Sequence, residues 1–294
     1  MLKLQGIFPA VATPFDHNSD LYDVKIRHNV ERWNKTSLTG YLVCGSTGEN
    51  VYLNSEEKYR MWTRVAEYAA PGKLLIAGTG AESVRETVVL TNKTEELGYH
   101  AALVLTPHYY RSLMDRPETQ MLFYRTVADR AKIPIMLYNF PGVTGLDLTT
   151  ETVAELSHHP NIIGMKDSSG NVPKMIQMIA AVKPGFQMLT GSASTVAASL
   201  SAGAAGAILA LANAAPYAAI SIWEAHRTRE TAAAEDLQNR ILPASTLVNK
   251  YGIPALKHAM DLNGYYGGPP RLPLTVVRPE AAREIEQAFD GIKG

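Results

Sequence analysis

The chain has 294 residues, 28 Lys plus Arg against 28 Asp plus Glu, and one cysteine. That length allows one large α/β barrel or two ordinary domains. The even charge excludes a global basic field for nucleic acid and an acidic tail, and makes a small neutral or anionic metabolite the simpler partner. Cys44 excludes an internal disulfide framework and a Cys-rich metal site, fits a reducing compartment, and reads as a small buried strand residue in YLVCGSTGE.

The N-terminal MLKLQGIFPA carries neither a long apolar h-region nor an Arg/Ser-rich lead, and no apolar run reaches the length of a membrane span. The expectation is a cytoplasmic protein with no membrane partner, the mitochondrial matrix staying open if a transit peptide is missing from this chain. Short β-branched apolar runs then recur at even spacing: 6–13, 40–45, 73–80, 101–107, 133–139, 161–167, 186–192 and 203–210. Amphipathic stretches of helical length separate them. The segment 54–70 opens on Asn54 and Ser55 with an acidic first turn, 82–98 ends in Gly98, 173–185 stops at Pro-Gly, and 192–203 ends in glycine. Alternating strands and helices predict an α/β fold, a (β/α)₈ TIM barrel over 1–212. The rival open sheet lacks support, because GTGAES (78–83) is not G-x-G-x-x-G and no P-loop is present. Beyond 213 the strand signals stop. Helices at roughly 214–230, 232–250, 253–262 and 279–290 predict a C-terminal helical extension, 213–294, packed on the barrel.

Active sites of such barrels sit at the C-terminal strand ends. One amine (Lys166), the hydroxyls of Ser46, Thr47 and Ser168, the tyrosines Tyr109 and Tyr138, and the glycines Gly45 and Gly191 gather there. No His and carboxylate cluster has metal-ligand character, so no metal is expected. His158 and His159 close a helix, where a dipole role fits them better. A buried lysine amine can attack a ketone to form an imine, an electron sink once protonated. Burial among apolar groups favours the neutral nucleophile. Tyr138, ending the preceding strand, could carry the proton, alone or through a hydroxyl chain. The bland alternative is a lysine that snorkels and pairs with Asp167 or a helix end. GSTGE (45–49) turns backbone N–H groups and two hydroxyls toward a ligand, a nest that suits a carboxylate, although many strand-to-helix turns contain these residues. Tyr109 and Tyr110 could equally be packing residues at a loop or subunit contact.

GSTGE, TPHYY, YNFPGVTG, GMKDSSG and GSAS fall in that order at the ends of the second, fourth, fifth, sixth and seventh strands. This ordered set resembles the dihydrodipicolinate synthase/N-acetylneuraminate lyase family over essentially the whole chain. The resemblance implies a class I aldolase or lyase that forms a Schiff base with pyruvate or another small 2-oxo acid. It implies no metal or organic cofactor, and a homo-oligomer, usually a tetramer built as a dimer of dimers. It makes Lys166 the Schiff-base lysine, Tyr138 the proton-transfer tyrosine, Ser46 its relay, and Tyr109 the tyrosine that reaches a partner subunit's site. Thr47 would bind the pyruvyl carboxylate, with Gly45, Ser168 and Gly191 beside it, and the Ile208 carbonyl would face the pyruvyl end.

Two departures bear on the substrate. The synthases carry an arginine for their second substrate's carboxylate where Val143 stands, and a valine makes no bidentate carboxylate pair. The sialic acid lyases hold sugar hydroxyls with Asp and Glu where Ala193 and Ser194 stand. HPNIIGMKDSSG, FQMLTGSAS, TPHYYR and GIPALKHAMDLNGYYGGPPRLPL (252–274) most resemble the 4-hydroxy-2-oxoglutarate aldolases, which release pyruvate and glyoxylate. Arg111 and His108 are candidates for the second carboxylate by sequence proximity. A 2-oxo-3-deoxy sugar acid aldolase is the alternative. Dihydrodipicolinate synthase, N-acetylneuraminate lyase and a non-catalytic metabolite-binding barrel rank below it.

Overall fold

The computed structural model describes residues 2–292. The eight expected strands form as β1 (Gly6–Pro9), β2 (Gly40–Val43), β3 (Leu74–Gly78), β4 (Ala101–Leu105), β5 (Ile135–Asn139), β6 (Ile162–Asp167), β7 (Gln187–Thr190) and β8 (Gly206–Leu209). All pairs are parallel, in the order β1-β8-β7-β6-β5-β4-β3-β2. A parallel bridge from Ala10 to Leu42 brings β1 beside β2, with the Val11 N–H donating to the Leu42 carbonyl at 2.8 Å. The sheet thus curls into the (β/α)₈ barrel that the sequence predicts.

Alternation along each strand separates two apolar layers. Phe8, Leu42, Ile76, Leu103, Met136, Leu189 and Ile208 pack together inside the barrel. Their neighbours Ile7, Val43, Ala77, Val104, Leu137, Met188 and Leu209 join the layer between sheet and helices. One irregularity matters for the chemistry. Ile135 pairs with Ile162, but Met136 pairs with Gly164, so β6 carries an extra residue at Ile163. Without that bulge Lys166 would share the outward side of Ile162. With it, Lys166 pairs with the inward Tyr138 and turns into the barrel. Gly164 permits the detour, since a Cβ there would lie 2.4 Å from the Gln187 carbonyl oxygen.

The four expected helices between strands appear as Ser55–Tyr68, Val84–Glu95, Val172–Ala181 and Val196–Ser201. The first opens on a capping box between Asn54 and Glu57. The structure adds Asp23–Asn34, Pro117–Arg130 and Thr150–Ser157, with short turns at Arg111–Met114 and Pro141–Thr144. The C-terminal helices run Pro216–Arg227, Thr231–Tyr251, Ile253–Leu262 and Pro279–Phe289. Their buried Ile222, Ile241, Leu256 and Ile285 belong to the same apolar layer as the barrel's outer strand residues. Residue 1 and residues 293–294, the outer limits of the two expected ranges, lie outside the described residues. No helix among the described residues is long and apolar enough to cross a membrane.

Candidate active site

Lys166 and Tyr138 end adjacent strands in direct register. Both are 4 % exposed. The amine donates to the Tyr138 hydroxyl at 3.3 Å and lies 4.4 Å from the centre of its ring. Asp167 faces the other way. Its Oδ1 accepts from Asn139 Nδ2 at 2.8 Å and its Oδ2 from the Ser169 hydroxyl at 2.6 Å. Asn139 Nδ2 also donates to Asp147 Oδ1 at 2.7 Å, and its Oδ1 accepts from the Leu148 N–H at 3.0 Å. The snorkelling alternative therefore lacks its partner: the neighbouring carboxylate serves a structural network outside the barrel, and the amine is kept beside a phenol. Gly191 completes this end. A Cβ there would sit 2.8 Å from Lys166 Cε and 2.0 Å from Ser168 Oγ, so only glycine leaves both side chains in place.

Ser46 and Thr47 sit in a single turn, Ser46–Gly48, that follows the extended Gly45. The turn ends at Glu49, whose φ of 54° is in the left-handed region. A non-glycine residue held there needs external support. The support comes from the C-terminal extension. Lys257 Nζ lies 2.7 Å from Glu49 Oε1, both side chains being essentially inaccessible. The two opposite charges meet at hydrogen-bond distance. Lys257 spends its hydrogens on the Thr13 and Pro269 carbonyls, at 2.9 and 3.0 Å. Burial lowers its pKa, and Glu49 opposes that shift. The Arg271 N–H donates to Glu49 Oε2 at 2.9 Å, and its guanidinium holds Glu57 at 2.6 and 2.8 Å. The Thr13 hydroxyl donates to the Gly48 carbonyl at 2.6 Å. Sequence reading missed this anchoring, because a lysine within GIPALKHAM has no local sign of burial.

Ser46 and Thr47 line a cleft of about 520 Å³, together with Phe140, Val143 and Ala210 from other strand ends. Phe140 links it to the amine, since its ring stacks on Tyr138 at 5.8 Å between centroids. Helix ends of the C-terminal extension, including Val248, Asn249 and Ile253, form the opposite wall. Ile208 is buried in the inner layer with Tyr138.

Other expected residues fall elsewhere. Tyr109 is 78 % exposed, packs edge-on against Tyr110, and does not meet the amine within its own chain. Arg111 lies against Gly145, whose Cβ would be 2.8 Å from Arg111 Nη1. His108 does line the cleft, but its Nδ1 is 3.2 Å from Glu82. The Ser194 hydroxyl is engaged with Ser245 at 2.9 Å, and the Ala193 carbonyl accepts from Gln238 at 2.9 Å. His159 pairs with Asp129 at 3.0 Å, and His158 caps the helix Thr150–Ser157.

Residues 3–291 match the model of the dihydrodipicolinate synthetase family. A protein of Emericella nidulans named "Probable 4-hydroxy-2-oxoglutarate aldolase, mitochondrial" is 34 % identical over 97 % of this chain and 93 % of its own. A 4-hydroxy-tetrahydrodipicolinate synthase of Exiguobacterium is 32 % identical over 97 % of each. Among solved structures, the dihydrodipicolinate synthase of Acinetobacter baumannii complexed with pyruvate superposes with a TM-score of 0.94 at 30 % identity, covering 99 % of this chain and 100 % of that one.

Proposed function

Since the chain belongs to the dihydrodipicolinate synthetase family, we propose that it is a class I aldolase that forms a Schiff base between Lys166 and pyruvate. The observation that carries this reading is the buried amine 3.3 Å from the Tyr138 hydroxyl, with Asp167 committed elsewhere. In the cleavage direction the Lys166 amine adds to the C2 carbonyl of a 4-hydroxy-2-oxo acid, and loss of water leaves the protonated imine. Tyr138 removes the proton from the C4 hydroxyl, directly or through Ser46. The C3–C4 bond breaks, its electrons pass to the imine, and the aldehyde leaves. Protonation of the resulting enamine at C3 and hydrolysis release pyruvate and restore the amine. Thr47 and the backbone at Gly45 bind the pyruvyl carboxylate, with Ser168, Gly191 and the Ile208 carbonyl around the same end. No metal or organic cofactor takes part in this scheme. The working assembly is a homo-oligomer, a tetramer built as a dimer of dimers, in which the exposed Tyr109 reaches the neighbouring site.

The preferred substrate is 4-hydroxy-2-oxoglutarate, giving pyruvate and glyoxylate. Support comes from the Emericella nidulans relative. Val143, which supplies no cation, argues against a synthase-type second substrate but gives no partner to the second carboxylate of 4-hydroxy-2-oxoglutarate. The Ser194 hydroxyl, engaged with Ser245, weakens a polyol reading. A polar substrate whose desolvated atoms find no partner loses about 1–3 kcal/mol for each. The test is kcat/KM, side by side, for 4-hydroxy-2-oxoglutarate, a 2-oxo-3-deoxy sugar acid, N-acetylneuraminate and the aspartate semialdehyde condensation. The first should lead. A lead for the sugar acid promotes that alternative, and a lead for aspartate semialdehyde refutes the reading of Val143.

A further inference from the structure

The far end of the cleft has a chemistry of its own. Val51, Phe140, Val143, Val248, Ile253 and Leu274 line it, contributed by four separate stretches of chain. Asn50, Asn249 and Tyr251 are polar residues on the same cleft, no Asp, Glu, Lys or Arg is among its described lining residues, and the His108 imidazole faces the Glu82 carboxylate. Arg111, the nearby cation in sequence, packs on Gly145 instead. The volume of about 520 Å³ falls within the ordinary range for small-molecule clefts and exceeds what a one-carbon substituent on the aldehyde fills. With glyoxylate as acceptor, much of this apolar wall would stay wet.

We propose that this wall is an acceptor subsite for neutral aldehydes bearing an apolar alkyl or aryl group, so that the enzyme joins pyruvate to such aldehydes as well as to glyoxylate. The proposal rests on the pyruvate reading of Lys166. The reaction is redox-neutral. Lys166 and pyruvate form an imine and release water, and a methyl proton of the pyruvyl group is lost to the Tyr138 relay. The enamine carbon then bonds to the aldehyde carbon. The aldehyde oxygen takes a proton, and water hydrolyses the imine to a 4-hydroxy-2-oxo acid that carries the apolar group at C4. Val143 is the specificity-determining position, because it lines the cleft where a synthase would hold its arginine, and at 51 % exposure it tolerates replacement.

The experiment uses the full-length enzyme and a graded acceptor series: acetaldehyde, propanal, 2-methylpropanal, cyclohexanecarbaldehyde and benzaldehyde, each with saturating pyruvate. Borohydride trapping of pyruvate is measured in parallel. The expected result is a kcat/KM that climbs along the aliphatic series, by up to about four-fold per buried methylene. Benzaldehyde should exceed acetaldehyde by at least about ten-fold, and Val143→Asp should flatten the climb. A flat or falling series with normal trapping overturns the subsite and leaves the pyruvate reading intact. Absence of trapping overturns the pyruvate reading and the subsite together.

Discussion

Two lysines are buried among the described residues, Lys166 at 4 % exposure and Lys257 at 1 %, and their surroundings are opposites. Lys257 meets a carboxylate at 2.7 Å and gives hydrogen bonds to two backbone carbonyls. It also lies 4.6 Å from the Phe15 ring centre, where Arg271 stacks as well. Such an amine is fully used, and it ties a C-terminal helix to the turn carrying Ser46 and Thr47. Lys166 has a phenol oxygen and a ring face, and the nearest carboxylate in sequence is turned out of the barrel. Burial alone therefore does not mark a reactive lysine. Among the described residues Lys166 has no charge partner and Lys257 has one, and it is this difference that supports the proposal of Lys166 as the Schiff-base amine.

The largest effect expected from a conservative change at this site is in Tyr138→Phe, which keeps the ring face beside Lys166 and removes the hydroxyl. Turnover should fall on the order of 10²–10⁴, the usual loss for a positioned acid–base, with thermal stability near that of the parent. A loss under about three-fold would show that the hydroxyl 3.3 Å from the amine is a bystander.

Lys257→Met sharpens the contrast from the other side. It strands Glu49 as a buried charge, a defect that costs about 3–5 kcal/mol in comparable cases. Urea unfolding should show a midpoint far below that of the parent, and Glu49→Gln combined with Lys257→Met should recover much of the difference. Pyruvate trapping by the folded double variant should persist. If the single variant were as stable as the parent, the ion pair would not be the anchor described here.

The smallest effect concerns Arg271 and Glu57. The Arg271 hydrogen bond holds the Glu57 carboxyl below the usual carboxylate range. A carboxylate depressed on folding stabilises the protein above its unfolded pKa, and that contribution fades as pH falls through the folded value. Glu57→Gln should therefore be less stable than the parent at neutral pH, and the gap should close on acidification. Parallel stability curves across the acid limb would contradict this. The pair links the helix Ser55–Tyr68 to the same C-terminal segment that holds Glu49.

Much of the barrel was legible, because its strands are short β-branched runs whose order along the chain matches their order in the sheet. Three barrel helices were harder to read. Asp23–Asn34 buries Asn29, Pro117–Arg130 buries Gln120, and Thr150–Ser157 buries Thr152 and Ser157. Buried polar residues alone do not set them apart, because Val84–Glu95, which the sequence does mark with its Gly98 stop, buries Thr87, Thr91 and Thr94. Asn29 is satisfied by the distant Tyr266 backbone, which local pattern does not reveal. At the site, Lys166 and Tyr138 stood out as polar groups at strand ends. The bulge that aims Lys166 inward left one mark, Gly164 within an apolar strand, and strict alternation from Ile162 would have pointed the lysine the wrong way. The Glu49–Lys257 pair joins positions far apart in sequence, and lysine is so rarely buried that no local rule would have suggested it.

The most direct test of the distinction between the two lysines is borohydride reduction in the presence of pyruvate, followed by peptide mapping. The parent protein should carry one pyruvyl-derived adduct, on the peptide containing Lys166, and none on the peptide containing Lys257. Lys166→Ala should fold and carry no adduct. An adduct that maps to Lys257, or that persists in Lys166→Ala, would contradict the assignment of Lys166 as the reactive amine.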